Sequence, residues 1–176
     1  MMKKTLALLL VVILSLNGCS LINKQNNIDK ETNLMDVEII LYFGDSQALY
    51  VSPEKRLITV SQNISQEEYA KLILDELIKG PIDENLYPTI PPDTKVLNID
   101  IEEDLLYIDF SKKMHINHWG GSAGENMTLL SLANTMTEID GIKRVIPSVE
   151  GTVLNIEHVI VDEPLTRQED KIYKHD

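Results

Sequence analysis

The fold class is decided by residues 96–110, whose sequence is VLNIDIEEDLLYIDF. Two segments, Val96–Ile101 and Leu105–Phe110, are rich in the β-branched, leucine and aromatic residues of strands, and the acidic residues 102–104 separate them. A three-residue turn joins antiparallel strands, because a parallel pair needs a crossover of a dozen residues or more. The stretch therefore predicts a β-hairpin and makes parallel winding the weaker alternative.

A second hairpin is predicted upstream. Val37–Phe43 has the composition of a strand and ends at the turn residues Gly44-Asp45-Ser46. Ala48–Val51 and Arg56–Val60 then form an interrupted partner strand. Two strands in a hairpin followed by a helix, and then the same order again, indicate an α+β domain.

The first helix begins with the capping box Ser65-Gln66-Glu67-Glu68, in which the serine hydroxyl and the glutamate each satisfy a free N–H. Apolar residues follow at helical spacing up to Lys79-Gly80-Pro81, where the glycine and proline end the helix. A second helix is predicted from about Gly124 to Ile139. Strands are predicted at Val145–Val149 and, with weaker support, within Val153–Val161. The predicted architecture is a single domain with a mixed or antiparallel sheet and two helices packed on one face.

The N-terminal residues carry the pattern of an export signal. A basic start at Lys3-Lys4 precedes the apolar run Leu6–Leu14, which is too short to cross a bilayer. The following Leu16-Asn17-Gly18-Cys19 resembles the bacterial lipobox, in which the cysteine receives diacylglycerol and becomes the first residue after cleavage. The sequence therefore predicts a lipoprotein signal peptide at residues 1–18 and a lipid anchor at Cys19, on the extracytoplasmic face of the cell membrane.

The predicted organisation after cleavage has three parts. Residues 19–35 are the lipidated cysteine and a polar, flexible tether, residues 36–167 are the folded domain, and residues 168–176 are a polar tail. Cleavage would remove two lysines and no acid, which moves the net charge from -12 to -14. Such a domain is repelled by anionic headgroups and would stand off the membrane surface.

Composition excludes several function classes. The chain of 176 residues has a single cysteine, so it forms no internal disulfide and no cysteine-based zinc site. Its 28 acidic and 16 basic residues argue against nucleic acid as a partner, because phosphate contacts need Lys and Arg. These numbers leave oligomeric state open.

Two motifs suggest catalysis or metal binding, and both are weak. Gly120-Gly121-Ser122-Ala123-Gly124 matches the nucleophile elbow of α/β-hydrolases, but no buried strand leads into it. The structural alternative is that Ser122 caps the second helix and Glu125 lies in its first turn. His115 and His118 are three residues apart in an irregular segment, which favours surface histidines over a metal site.

A set of short segments, in fixed order along the folded part, forms a distinctive pattern. The segments are LYPTIPP (86–92), Val96-Leu97, YIDFS (107–111), GGSAGE (120–125), ANTMTE (133–138), GIKRV (141–145), Glu150-Gly151 and EPLTR (163–167). With these segments the folded part resembles the GerMN domain, a family named for sporulation and spore germination and found in bacterial envelope lipoproteins. The resemblance implies a fold similar to the α/β ring-building modules, with no agreed catalytic, cofactor or metal residues.

The sequence thus predicts a non-enzymatic, lipid-anchored module that binds envelope proteins. The alternatives are an esterase that uses the 120–124 loop and a ligand-binding lipoprotein. Glycine and proline stiffen two loops, and these are predicted to form one exposed interaction rim made of Tyr87, Pro88, Trp119, Gly120, Gly121, Ser122, Gly124 and Glu125.

Overall fold

A computed structural model describes residues 33–174. The predicted signal peptide, Cys19 and most of the tether lie outside this range. The strands are β1 (Leu34–Gly44), β2 (Val51–Ser61), β3 (Val96–Glu102), β4 (Leu105–Phe110), β5 (Arg144–Val149), β6 (Thr152–Val153), β7 (Asn155–Ile156), β8 (Val159–Ile160) and β9 (Leu165–Thr166). The helices are α1 (Gln66–Ile78), α2 (Lys113–Ile116) and α3 (Ser122–Met136), with a 3-10 turn at Glu169–Lys171.

The first hairpin pairs β1 with β2 in antiparallel register from Leu34↔Ser61 to Gly44↔Val51. The predicted interruption of the second strand is absent, because β2 continues through Pro53. Pro53 lies opposite Tyr42 in the ladder. The backbone groups of Tyr42 bond to α3 and not to Pro53: its N–H donates to the Thr135 hydroxyl, and its C=O accepts from the Ser131 hydroxyl. The missing proline N–H therefore costs no ladder hydrogen bond at this position.

Helix α1 begins as predicted. The Ser65 hydroxyl accepts from the Glu68 backbone N–H at 3.1 Å, and the Glu68 carboxylate accepts from the Ser65 N–H at 3.3 Å. The helix ends at Ile78, just before Gly80, which has a φ of 85°. Its buried face consists of Ala70, Ile73, Leu74, Leu77 and Ile78.

The second sheet is mixed, with β3 at one edge and β4 and β5 inside. The predicted β3–β4 hairpin is present, with Glu103 at a φ of 57° in its turn. The next pair, β4 and β5, is parallel, and α2 and α3 form the crossover between these strands. Parallel pairing therefore does occur between these two strands, because the 33 residues between Phe110 and Arg144 are enough for a crossover. The α+β class with mixed and antiparallel sheets is confirmed.

Helix α3 lies in the middle of the domain and is buried over most of its length. It contacts β1, β5 and β9 as well as α1. Leu132 and Met136 of α3 are fully buried in the core. The short helix α2 was not predicted. Within residues 33–174, none of the helices has the length and apolar character needed to span a bilayer.

The C-terminal residues pack onto the domain further than predicted. Beyond residue 167, the Gln168 N–H donates to the Asn134 side-chain oxygen at 2.9 Å, and the Tyr173 N–H donates to the Val51 carbonyl at 2.8 Å. Ile172 packs on a small cluster formed by Tyr42, Val51, Met127 and Leu130. The described part of the predicted tail at 168–176 is therefore attached to the β1–β2 sheet.

Candidate functional site

Loops from three parts of the chain meet beside the start of α3 and enclose an open groove of about 330 Å³. The lining is mainly apolar and includes two half-exposed aromatic side chains, Tyr87 (55% exposed) and Trp119 (53%). The groove is lined by Gly44, Asp45, Ser46, Ala48, Tyr87, Pro88, Thr89, Trp119, Gly124 and Met127.

The loop that carries Tyr87 is held to the end of β1. Gly44 and Tyr87 exchange two backbone hydrogen bonds, of 3.2 and 2.9 Å, so the loop extends the sheet by one bridge. Buried Thr89 then fixes the loop to α3: its hydroxyl bonds that of Ser131 at 2.6 Å, and its carbonyl accepts from the Thr128 hydroxyl at 2.6 Å. Tyr87 therefore projects from an ordered backbone.

The start of the same loop is held by a buried ionic network. Arg56 donates to Glu54 Oε1 (2.5 and 2.8 Å) and to the carbonyls of Glu76 (3.0 Å) and Gly80 (2.5 Å). The second oxygen of Glu54 accepts the N–H groups of residues 82 and 83 at 2.8 and 2.9 Å. Burial raises the pKa of Glu76, but hydrogen bonds from Lys79 and Arg56 outweigh it and lower the pKa overall.

A tight turn after β1 forms the opposite wall. The Asp45 carboxylate accepts the N–H groups of Gln47 and Leu49 at 3.2 and 3.0 Å, and Ala48 adopts a φ of 53°. Self-capping by an aspartate side chain is the usual chemistry of such turns. Asp45 thereby places a negative charge on the groove wall.

Trp119 is positioned by its neighbour His118. The Gly120 N–H donates to His118 Nδ1 at 3.1 Å, which leaves Nε2–H to donate to the Thr128 hydroxyl at 2.9 Å. Burial lowers the pKa of His118, against the opposing charges of Glu125 and Glu157. The indole packs edge-on against this fixed imidazole, with ring centroids 5.8 Å apart.

The glycines before α3 have conformations that other residues avoid. Gly120 and Gly121 have φ values of 70° and 77°, and Gly121 is the N-cap of α3. A Cβ at Gly120 would lie 3.0–3.2 Å from the Glu157 carboxylate. These two residues let the backbone turn sharply after Trp119 and approach the β7–β8 turn closely.

The structure brings Tyr87, Pro88, Trp119 and Gly124 together at the groove. The other four predicted rim residues, Gly120, Gly121, Ser122 and Glu125, do not line it. Glu125 is fully buried under the rim, with its carboxylate toward His158. The prediction that Ser122 caps the helix is wrong, because the N-cap is Gly121 and no side chain caps it.

Several groove residues were missed. The sequence predicted Gly44, Asp45 and Ser46 only as a turn. The glycine and aspartate of this turn were the one available signal that could have placed it at a site. Met127, one turn into α3, gave no signal that distinguishes it from core residues.

The geometry does not support an esterase. Ser122 begins α3 after a loop, whereas a nucleophile elbow follows a buried strand. Among the described residues, none of the imidazoles hydrogen-bonds to Ser122, and His158 bonds to Glu125 instead.

The His115-x-x-His118 pair is unsuited to binding a metal ion, since both ring nitrogens of His118 already have hydrogen-bond partners. The one group of side chains with metal-ligand geometry in the described range is Glu125, Glu157 and His158.

Comparison with known families decides the relationship. Residues 40–155, about two thirds of the chain, match the Germane family model, described as sporulation and spore germination. The chain belongs to the Germane family. The matched segment of this Germane protein runs from the second half of β1 to the first residue of β7, and it includes every residue that lines the groove.

Three solved structures share the fold of the Germane domain. A crystal structure of a candidate lipoprotein from Clostridium perfringens is 27% identical and has a TM-score of 0.53, over 74% of this chain and 87% of that one. The tandem GerMN domains of the Bacillus subtilis sporulation protein GerM are 18% identical, with a TM-score of 0.57 over 82% of this chain and 50% of theirs. The first GerMN domain of GerM alone is 21% identical, with a TM-score of 0.54 over 76% of this chain and 98% of that domain. Curated proteins gave no significant match.

Proposed function

We propose that this protein is a lipid-anchored envelope protein whose Germane domain binds a partner protein outside the membrane, in the groove between Tyr87 and Trp119. The observation that carries the proposal is the pair of half-exposed aromatic side chains held on ordered loops over an apolar groove. Aromatic residues that are already ordered lose little conformational entropy on binding, and they dominate the energetics of protein interfaces.

The chemistry of the groove favours one kind of partner segment. Its wall is apolar, which fits a leucine or aromatic side chain, and Asp45 adds a negative charge. The whole chain carries a net charge of -12. We therefore expect a segment in which an apolar anchor is flanked by Lys or Arg, because complementary charge accelerates and orients association.

The position of the groove suits a tethered receptor. The tether would enter the domain at Leu34, and the groove lies at Gly44, the other end of the same strand. Ten steps along a strand at about 3.3 Å each separate these ends by roughly 33 Å. The groove therefore lies at the end of β1 opposite to Leu34, where the tether would join the domain. The Germane family association and the likeness to a candidate lipoprotein support an envelope role in sporulation or germination.

Trp119, the single tryptophan of the chain, offers a direct test. Peptides with an aromatic anchor and basic flanks should shift its fluorescence to shorter wavelength in the purified full chain, whereas acidic versions of the same peptides should not. Tyr87→Ala should weaken binding by about 30-fold or more, the effect of losing an interface hot spot of about 2 kcal/mol. Leu57→Ala is the matched control, because Leu57 is 70% exposed on β2 and does not line the groove.

Two outcomes would count against the proposal. Equal losses of affinity in the two variants would show that the groove is not the binding surface. Fluorescence shifts with small metabolites but not with peptides would favour a ligand-binding lipoprotein, for which a groove of this volume is at the lower limit. The anchor is tested separately: Cys19→Ser should release the protein from membranes, and persistent membrane association would contradict lipidation.

A further inference from the structure

We propose that Glu125, Glu157 and His158 form a binding site for one divalent transition-metal ion, with Zn²⁺ as the best fit. Glu125 comes from the first turn of α3, and Glu157 and His158 are the two residues between β7 and β8. Ligand atoms from all three side chains lie within 4.8 Å of one another. This site is separate from the groove and goes beyond the proposed function.

The first argument is the state of the Glu125 carboxylate. The side chain is fully buried, and its Oε1 accepts from the His158 backbone N–H at 3.3 Å and faces His158 Nδ1 at 3.2 Å. The other oxygen, Oε2, is buried without a hydrogen-bond partner. A buried carboxylate with an unused oxygen is costly, and a metal ion would compensate this cost.

The second argument is the spacing of the donor atoms. Four-coordinate Zn²⁺ lies at about 2.0–2.2 Å from N and O ligands, so tetrahedral ligand atoms are about 3.3–3.6 Å apart. His158 Nδ1 lies 3.2 Å from Glu125 Oε1 and 3.7 Å from Glu157 Oε2. Small rotations of the two exposed side chains, Glu157 and His158, would bring the set to this geometry.

The third argument is the support around the ligands. The Gly121 N–H donates to Glu157 Oε2 at 3.2 Å and orients this carboxylate toward the cluster. Gly120 lies so close to the same carboxylate that a side chain there would crowd it. Glu157 also adopts a φ of 34°, a strained conformation for a residue with a side chain.

The donor set indicates the class of metal. Two carboxylates and one imidazole suit Zn²⁺, whereas Mg²⁺ and Ca²⁺ prefer sites made only of oxygen. Three protein ligands leave one coordination position for water. A bound ion would tie the β7–β8 turn to the start of α3, and through Gly121 to the loop that carries Trp119.

The test is a Zn²⁺ titration of the purified full chain after treatment with a chelator, followed by calorimetry and thermal unfolding. We expect one ion per chain and a rise in Tm of about 5–10 °C at a concentration 100 times Kd. Mg²⁺ should leave Tm unchanged. Co²⁺ should show the intense visible absorption of a tetrahedral site.

Variants separate the site from adventitious binding. His158→Ala and Glu157→Gln change exposed side chains, so both should fold while their Zn²⁺ affinity falls by about 100-fold or more. Glu125→Gln should have the same effect if it folds. His115→Ala, at a nearby exposed histidine outside the cluster, should bind like the wild type. Absence of saturable binding, or affinity that His158→Ala leaves unchanged, would overturn the proposal and leave only a hydrogen bond between Glu125 and His158.

Discussion

Arg56→Met is expected to destabilise the domain strongly and to loosen the loop that carries Tyr87. The Arg56 side chain is 7% exposed and its partner Glu54 is 11% exposed, so the substitution would leave a buried carboxylate without its cation. It would also leave the carbonyls of Glu76 and Gly80 without this donor at the end of α1.

The magnitude follows from this burial. Removing one partner of a buried ion pair costs about 3–5 kcal/mol. For a domain of this size, Tm falls by about 2–4 °C per kcal/mol, so the expected loss is about 6–20 °C. The matched control is Lys55→Met on the same strand, whose pair with Glu38 is more than half exposed on both sides and contributes about 0–1 kcal/mol.

The assay is thermal unfolding of the purified full chain, followed by circular dichroism, with hydrogen exchange of residues 81–93 as a local readout. Arg56→Met should accelerate exchange in this segment, because Glu54 also holds the N–H groups of residues 82 and 83. If Arg56→Met lowers Tm no more than Lys55→Met, the reasoning is refuted, because the cost of burying the Arg56 charge would then equal what its pairing with Glu54 contributes.

Three further predictions concern α3 and its surroundings. Burial is the main cause that raises the pKa of Tyr42 to about 12, and the hydrogen bond to a carboxylate is the second. The protonated Tyr42 side chain should therefore stabilise the fold fully below pH 10, and this contribution should be lost as pH rises towards 12. Phenolate absorbance should show this late step, and Tyr42→Phe should remove it; ionisation near pH 10 in the folded protein would contradict it. Thr135→Val should cost about 1–3 kcal/mol in urea unfolding, since it leaves the Tyr42 N–H buried and unpaired, whereas Thr137→Val removes only a bond within its own helix. Equal costs would show that the hydroxyl of Thr135 is dispensable. Gly121→Ala should cost about 1–2 kcal/mol through backbone strain alone, and Gly120→Ala should cost more because its Cβ also meets a carboxylate. The reverse order would contradict this interpretation.

Sequence patterns predicted the features that depend on neighbours in the chain. The capping box at Ser65 and Glu68 lies within four residues, and the 102–104 turn specifies its hairpin through its length alone. The two loops at Tyr87 and Trp119 were predicted to be stiff from their prolines and glycines. Their meeting in one groove is consistent with the predicted rim.

Features that depend on distant partners could not be predicted. The hydroxyls of Ser131 and Thr135 bond the backbone of Tyr42, about 90 residues earlier, so their role is invisible in a helical pattern. Glu125 has the sequence context of an exposed first-turn acid, but the β7–β8 turn folds over it. Burial of a charge by a remote segment leaves no periodic signal in the chain.

The course of β1 has a mechanical consequence. Under the proposed function, tension between the membrane and a bound partner would enter at Leu34 and leave at Gly44, along one continuous strand. Its eleven residue pairs with β2 run parallel to this pull, so any load passed on to β2 would act on them together instead of unzipping them one at a time. The aligned arrangement would let the domain transmit a pull from the envelope to its partner along β1, whose backbone joins the two ends.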